Sequence, residues 1–396
     1  MKFLKISKQK IGIAGKILLI VVVLLSIVFI ATSSFSDVTF SNVTGTIKAF
    51  FLNLKRGPGY PYEFSADGPE KIDSIGYYIA VVEDSTVVFL NSTAKEVFRY
   101  DTTYTNPDVR ISNGRALIYN RGTSSFMVAG QSDMIYDNSE TSGVITESII
   151  TAAIGKKGNL GFATWSDDGV SKFTAVNKKL GVDFYYVFGN DRIMYIALSD
   201  NGKYAACAVF GVKNATYYSK VHVFDFEQTE PIATFEYPAE TLIRLDFVDN
   251  ETLSVVTDLK RRLVSVEDKS ESGVVDYSTH SLSSVDFDAG SHKSVLCFSK
   301  YGSTENEVYA FDKNGEEIFH SNDFENVKDV KCNSKFFAVL TDEYVYSYNY
   351  KGELKSKIEL SVNIDSIEIV SNDIYFFSGS NVYKMKSNKD GILQTE

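Results

Sequence analysis

Cysteine, histidine, tryptophan and proline are scarce in this chain, and each scarcity removes a class of protein. Three cysteines in 396 residues, Cys207, Cys297 and Cys332, are odd in number, far apart and set among apolar neighbours. That pattern speaks against a disulfide framework and a zinc site and leaves buried free thiols. None precedes Cys207, so a lipid-modified cysteine behind an N-terminal apolar run is excluded. His222, His280, His292 and His320 show no close ligand spacing, so metal-assisted hydrolysis loses its main support and structural or surface positions are expected of all four. Acidic turns such as Asp167-Asp168-Gly169 and Asp200-Asn201-Gly202 lack the alternating oxygen ligands and distal Glu of a calcium hand, and turn chemistry accounts for them. No G-x-S-x-G, G-x-G-x-x-G or phosphate-loop pattern occurs. No cofactor and no metal is implied.

Basic charge is short outside the first residues. Lys2, Lys5, Lys8, Lys10 and Lys16 precede an uncharged stretch from Ile17 to Ser36 that is apolar almost throughout. About 20 such residues cross a hydrocarbon core of ~30 Å as a helix. Flanking lysines favour the cytoplasmic side. A cleaved signal peptide shares this order of basic and apolar residues, but its apolar core runs to about 7–15 residues, so an anchor is preferred. Setting the five leader lysines aside, 40 basic residues fall to 35 against 51 acidic ones, and the remainder carries about −16. Binding to a polyanion needs a basic face, and no basic run exists beyond Lys260-Arg261-Arg262. Nucleic acid is not an expected partner.

What the chain does contain is β-formers. Tyr (24) and Phe (28) stand among many Val, Ile, Ser and Thr, with six prolines. The phrase "VYAFDKNGE" at 308–316 returns as "VYSYNYKGE" at 345–353. Related segments begin at 87, 173, 221, 263 and 382, with a degraded copy, "SFMVAGQSDMIYD", at 125–137. Each is an alternating run, a turn rich in Asn, Asp, Gly or Lys, and a resumed run, the pattern of a β-hairpin. Upstream of the hairpins stand short apolar strands such as "YIAVV", "KYAACAVF" and "KFFAVL", and before several of those a weaker strand such as "VRIS", "SVDF" or "DSIEIV". Three or four antiparallel strands in about 40 residues is a propeller blade. The fold expected is therefore all-β, a β-propeller of about eight four-stranded blades with seven as the alternative, preceded by one transmembrane helix. The ring closes either with "YPYEF" (60–64) or with the C-terminal "ILQTE"; the sequence leaves both open.

The segments expected are a basic cytoplasmic tail (1–16), a transmembrane helix (17–36), an amphipathic juxtamembrane linker (37–57) and an extracytoplasmic propeller (58–396). In the linker Ile47, Phe50, Phe51 and Leu54 share one helical face, which fits either an interfacial helix on the outer leaflet or a stalk packed under the propeller. Two stretches differ from the repeat. "GPGYP" (57–61) sets an irregular turn that is expected to expose Tyr60. "NPDVRISNGRALIYNRG" (106–122) brings Arg110, Arg115 and Arg121 close together in sequence, either ion-paired within the ring or forming an anion or polar-ligand site on its rim. Trp165, alone of its kind, completes the candidate binding residues; no catalytic residue is nominated.

The single span, the "GPGYP" entry, "NPDVRISNGRALIYNRG" and "LSDNGKYAACAVF" (198–210) together resemble an uncharacterised family of single-pass, membrane-anchored β-propeller proteins of Gram-positive anaerobic bacteria. The resemblance implies an extracytoplasmic propeller and carries over no catalytic residue. "LSDNGKY" is also similar to the strand-turn-strand phrase of WD40-like and quinoprotein-like propellers. Quinoprotein blades carry docking tryptophans, and Trp165 alone does not supply them. The function expected is a binding or scaffolding module at the outer face of the cell membrane, meeting a protein, peptide or envelope glycan on its rim or in its channel. The alternative is an envelope polysaccharide lyase or hydrolase with its site in the channel, which needs two or three convergent ionisable groups there.

Overall fold

The repeated turn explains the repeated phrase. In the computed structural model, Asn91 Oδ1 accepts the backbone N–H groups of Thr93 and Lys95. Asn177 does the same for Lys179 and Gly181, Asp312 for Asn314 and Glu316, and Asn349 for Lys351 and Glu353. Each side chain stands in for a backbone carbonyl and fixes a five-residue turn. The fourth residue is left-handed in each: Ala94, Leu180, Gly315 and Gly352. A one-residue register shift in the strand just before each turn accompanies it.

The structure describes residues 48–64, 71–83, 85–138 and 143–385. The expected tail and transmembrane helix (1–36), and the segment Ile392–Glu396, lie outside these. Among the described residues no helix is long and apolar enough to cross a membrane. Eight four-stranded antiparallel sheets make up the fold. Blades 1–7 span 71–101, 107–137, 149–188, 192–238, 242–276, 280–325 and 329–359. Blade 8 takes three strands from 366–384, and its outer strand is Tyr62–Glu63, with Tyr62 opposite Val382. "YPYEF" is thus the closing segment. The inner strand of blade 8 touches that of blade 1, which completes the ring. The segments starting at 308, 345 and 382 fall in the third strands of blades 6, 7 and 8.

Burial follows the blade order. The second strands, such as Tyr78–Glu83, Phe336–Leu340 and Asp373–Ser378, are apolar on both faces because neighbouring blades cover both. Ala80, Phe89, Val109, Ile118 and Met127 join blades 1 and 2 in one core. Buried polar groups tie each blade to the next. Ser171 Oγ donates to Asp191 O and accepts from Ile193 N, and Ser219 repeats this with Glu240 O and Leu242 N. These bonds satisfy link backbone that water cannot reach.

A four-stranded meander places the inner-to-second and third-to-outer turns at one end of the ring, and the second-to-third turns and blade links at the other. A short helix, 48–53, caps the first end. Ala49 is buried there, Tyr78 Oη donates to Ala49 O, and Asn91 Nδ2 donates to Lys55 O at 2.8 Å. Gly57 then passes so close to Thr93 and Lys95 that a Cβ would collide with their backbone. Tyr60, expected to be exposed, is half-buried: its hydroxyl donates to Asn91 O at 2.8 Å and its ring meets Tyr375 edge-on. It staples the entry chain to the seam between blades 8 and 1.

Candidate functional site

Two places gather functional side chains: the channel on the ring axis and the rim of blades 3 and 4 at the end opposite the helix.

The channel, about 770 Å³, is lined by the inner strands. Alternation along each strand turns every second side chain toward the axis, and in this ring those positions carry charge. Arg244 pairs with Asp246 at 2.8 Å, and Lys331 with Glu368 at 3.4 Å and Asp286 at 3.9 Å. Burial, reinforced by Asp73 and Asp286, pushes the Glu368 carboxyl up to about 8 despite Lys331.

Arg110 belongs to this lining and Arg121 does not. Both converge on Asp108, Arg110 at 2.9 Å, and Lys71 of blade 1 reaches the same carboxylate at 2.6 Å. Tyr119 Oη donates to its second oxygen at 2.7 Å. Burial opposes ionisation of Asp108, but Lys71 and Arg110 outweigh it and hold the carboxyl well below its usual range. Arg115 stands apart. It starts the six-residue strand Arg115–Asn120 that Arg121 follows, so the two lie about 20 Å apart. Its guanidinium packs beside Gly158 of blade 3. The three arginines therefore do not form one cluster: two are ion-paired to Asp108, and the third sits at the helix end.

At that end the channel mouth brings together Lys156, Asp200 and His292 from blades 3, 4 and 6. His292 Nδ1 donates to Phe247 O at 2.9 Å, which points Nε2 at Lys156 Nζ (2.8 Å) and Asp200 Oδ2 (2.9 Å). Neutral imidazole accepts from Lys156; imidazolium donates to Asp200. Lys156 also meets Asp200 at 2.6 Å. Burial resists ionisation of Asp200, and His292 and Lys156 override it. Sequence spacing could not assemble this trio, because its members come from inner turns of three separate blades.

Trp165 ends the second strand of blade 3 and is 45% exposed. The guanidinium of Arg192, first residue of blade 4, covers its ring at 4.8 Å. Arg192 lies opposite Phe210 on the next strand, and Phe210 stacks on Tyr217 with centroids 6.0 Å apart. Val212, opposite Tyr217, is 66% exposed. Together these residues form a ridge on the projecting hairpin Tyr204–Lys213 and Thr216–Asp225, whose strands of ten residues exceed those of the other blades. The hairpin holds its shape through Tyr218, whose hydroxyl donates to Asp191 at 2.5 Å, pushing its pKa up to about 12. Gly211 makes room for that bond, since a Cβ would strike both partners. Asp167, Asp168 and Asp191 border the ridge. Of its members only Trp165 was legible as a candidate; Arg192, Phe210, Val212 and Tyr217 read as ordinary strand residues until the fold sets them side by side.

The architecture defines an eight-bladed β-propeller. Residues 61–387 match the model of DUF5711, a family of unknown function, and the chain belongs to that family. Among solved structures the chain is similar to Sqt1 of Saccharomyces cerevisiae (8% identity, 84% of this chain and all of that chain covered, TM-score 0.56). It is also similar to BamB of Moraxella catarrhalis (13% identity, 82% and 98% covered, TM-score 0.49). A third likeness is to the β-propeller domain of Cps50 (Swd1) of Myceliophteria thermophila (12% identity, 71% and 95% covered, TM-score 0.49). No curated protein matches the chain. Identities this low describe the fold and nothing finer.

Proposed function

We propose that the protein is a membrane-tethered, extracytoplasmic binding propeller that holds a protein partner on the ridge of blades 3 and 4. The observation that carries this reading is the run of exposed Trp165, Arg192, Tyr217 and Val212, with half-buried Phe210 among them, on and beside a projecting hairpin. Tryptophan, tyrosine and arginine are the residues that dominate binding energy at protein interfaces, and here they stand in solvent on a rigid sheet. The acidic border selects a partner with an apolar centre and a basic rim. The uncharged run 17–36 supplies the tether.

The test is a photo-crosslinking residue at Val212 in intact cells, with one at Lys335 on the other end as control. The expected result is one discrete protein adduct at Val212 that Trp165→Ala reduces at least tenfold. Equal labelling from both ends, or adducts unaffected by Trp165→Ala, overturns the ridge as the site.

A second reading rests on the channel. Lys156, Asp200 and His292 lie within hydrogen-bonding reach of one another, and Glu368, whose carboxyl burial pushes up, lines the same channel as a candidate general acid. Against it, Arg110, Arg244 and Lys331 are engaged in ion pairs within the ring. Release of reducing ends from envelope polysaccharide, abolished by both His292→Gln and Glu368→Gln, would establish the enzyme.

A further inference from the structure

The helix 48–53 has two faces. Ala49 is buried against the ring, Lys48 Nζ donates to Ser132 O at 3.3 Å, and Asn91 Nδ2 holds Leu52 O and Lys55 O. The contacts come from blades 1 and 2, so the helix is clamped to the propeller. Its other face shows Phe50, Phe51 and Leu54, which are 50%, 57% and 63% exposed, with the Phe50 and Phe51 rings edge to face at 5.8 Å. Lys48, Lys55 and Arg56 surround them and are also exposed. Three large apolar side chains ringed by cations have the composition of an interfacial membrane contact.

Chain length and charge name the occupant. Residues 37–47 alone separate the end of the uncharged run from this helix, and 11 residues reach at most about 40 Å. A tether at 17–36 would therefore hold the helix within that distance of the bilayer. The connections at the opposite end hold Asp167, Asp168, Asp258, Asp342 and Glu343 in second-to-third turns, and Glu147, Asp191 and Asp365 in links. Arg121 and Lys328 are the cations among their described residues. At the helix end the described turns hold ten lysines, among them Lys95, Lys156, Lys178, Lys179, Lys203 and Lys335, against eleven carboxylates, and so are close to neutral. An anionic lipid surface repels the first end and accepts the second.

We infer that Phe50, Phe51 and Leu54 sit in the headgroup region of the bilayer and fix the propeller's orientation, with the helix end toward the lipid and the ridge of blades 3 and 4 away from it. This rests on the membrane-tether reading above and adds a second, independent contact to it. Orientation follows because the helix is clamped: seating its outer face determines where every blade points.

The test uses the full chain reconstituted in vesicles of phosphatidylglycerol and phosphatidylcholine, with single cysteines at Phe51, Leu54 or Val212 carrying an environment-sensitive fluorophore. Cys207, Cys297 and Cys332 are buried and do not compete for label. Brominated lipids are expected to quench the labels at 51 and 54 at least threefold more than the label at 212. Vesicle flotation of the chain with equal, weak quenching at all three sites overturns the inference and leaves the tether standing. Failure of the unlabelled chain to float overturns the tether and the inference together. Protection of the 51 label from aqueous iodide without quenching by brominated lipid assigns the patch to a protein and overturns the lipid contact. Phe50→Ser/Phe51→Ser, which alters two side chains about half exposed, is expected to keep flotation and fold while raising iodide access to a label at 54.

Discussion

The guanidinium of Arg192 lies over the indole of Trp165 at 4.8 Å, joining blade 3 to blade 4 across the rim. Because Trp165 is the chain's one tryptophan, its emission reports this contact directly. Arg192→Ala is expected to uncover the indole and shift its emission to the red. The cost in stability is about 1 kcal/mol or less, the scale of an exposed cation–π contact. Partner binding at the ridge is expected to shift the emission of the unaltered protein to the blue.

Asp108 is the common counter-ion of Lys71, Arg110 and Arg121. Asp108→Asn keeps the shape but leaves the cations facing one another, and a loss of about 3–5 kcal/mol is expected in denaturant titration. The unaltered carboxyl ionises more easily folded than unfolded. Its contribution is therefore complete above the usual value of 3.8 and is lost as pH falls from there through the depressed folded value. The Asn variant should show a shallower acid limb.

Adjacent arginines should respond in opposite ways. Arg262 holds Glu240 with two bonds of 2.8 and 2.6 Å, both side chains being buried. Arg262→Met strands that carboxylate and is expected to cost about 3–5 kcal/mol. Arg261, also buried, stacks on Phe311 and donates to Gly315 O, but its Nε and Nη2 meet no partner, and burial pulls its pKa down to about 10. Arg261→Met is expected to leave thermal stability unchanged or raise it, since an isosteric apolar chain avoids the desolvation cost.

Asn214 and Ala215, at the tip of the long hairpin, both have positive φ, 53° and 63°. This is the two-residue turn that favours Asn-Gly. Ala215→Gly is expected to stabilise by about 1 kcal/mol by removing a left-handed Cβ, seen as a higher melting temperature with unchanged partner binding.

Blade number and strand order were readable because one turn repeats with the same physical requirement: an Asn or Asp acceptor, then a left-handed residue three positions on. Four blades keep that requirement, at Asn91, Asn177, Asp312 and Asn349, and the alternating strands mark the ring even where "SFMVAGQSDMIYD" has lost the wording. Closure was not readable, since "YPYEF" and "ILQTE" have equal claim to an edge strand until the seam is seen, where Tyr62 meets Val382 and Tyr60 reaches Asn91. Arg110 and Arg121, near in sequence, do meet at Asp108, whereas Arg115 is set apart because a strand carries residues six apart to opposite ends of a blade. Lys156, Asp200 and His292 show the converse, neighbours in space drawn from three blades. The linker's apolar face was visible in its spacing, and the structure assigns its inner face to the ring through Ala49 and its outer face to Phe50, Phe51 and Leu54.

The outer strand of blade 8 is made first and used last. During synthesis Tyr62–Glu63 must wait while seven blades form, because its partner Asn381–Lys384 arrives only at the far terminus. Until then the molecule is an open arc whose terminal blades show uncovered apolar faces, liable to join a neighbouring copy. A chain that stops short of residue 381 thus gives Tyr62–Glu63 nothing to clasp, and the seam stays open.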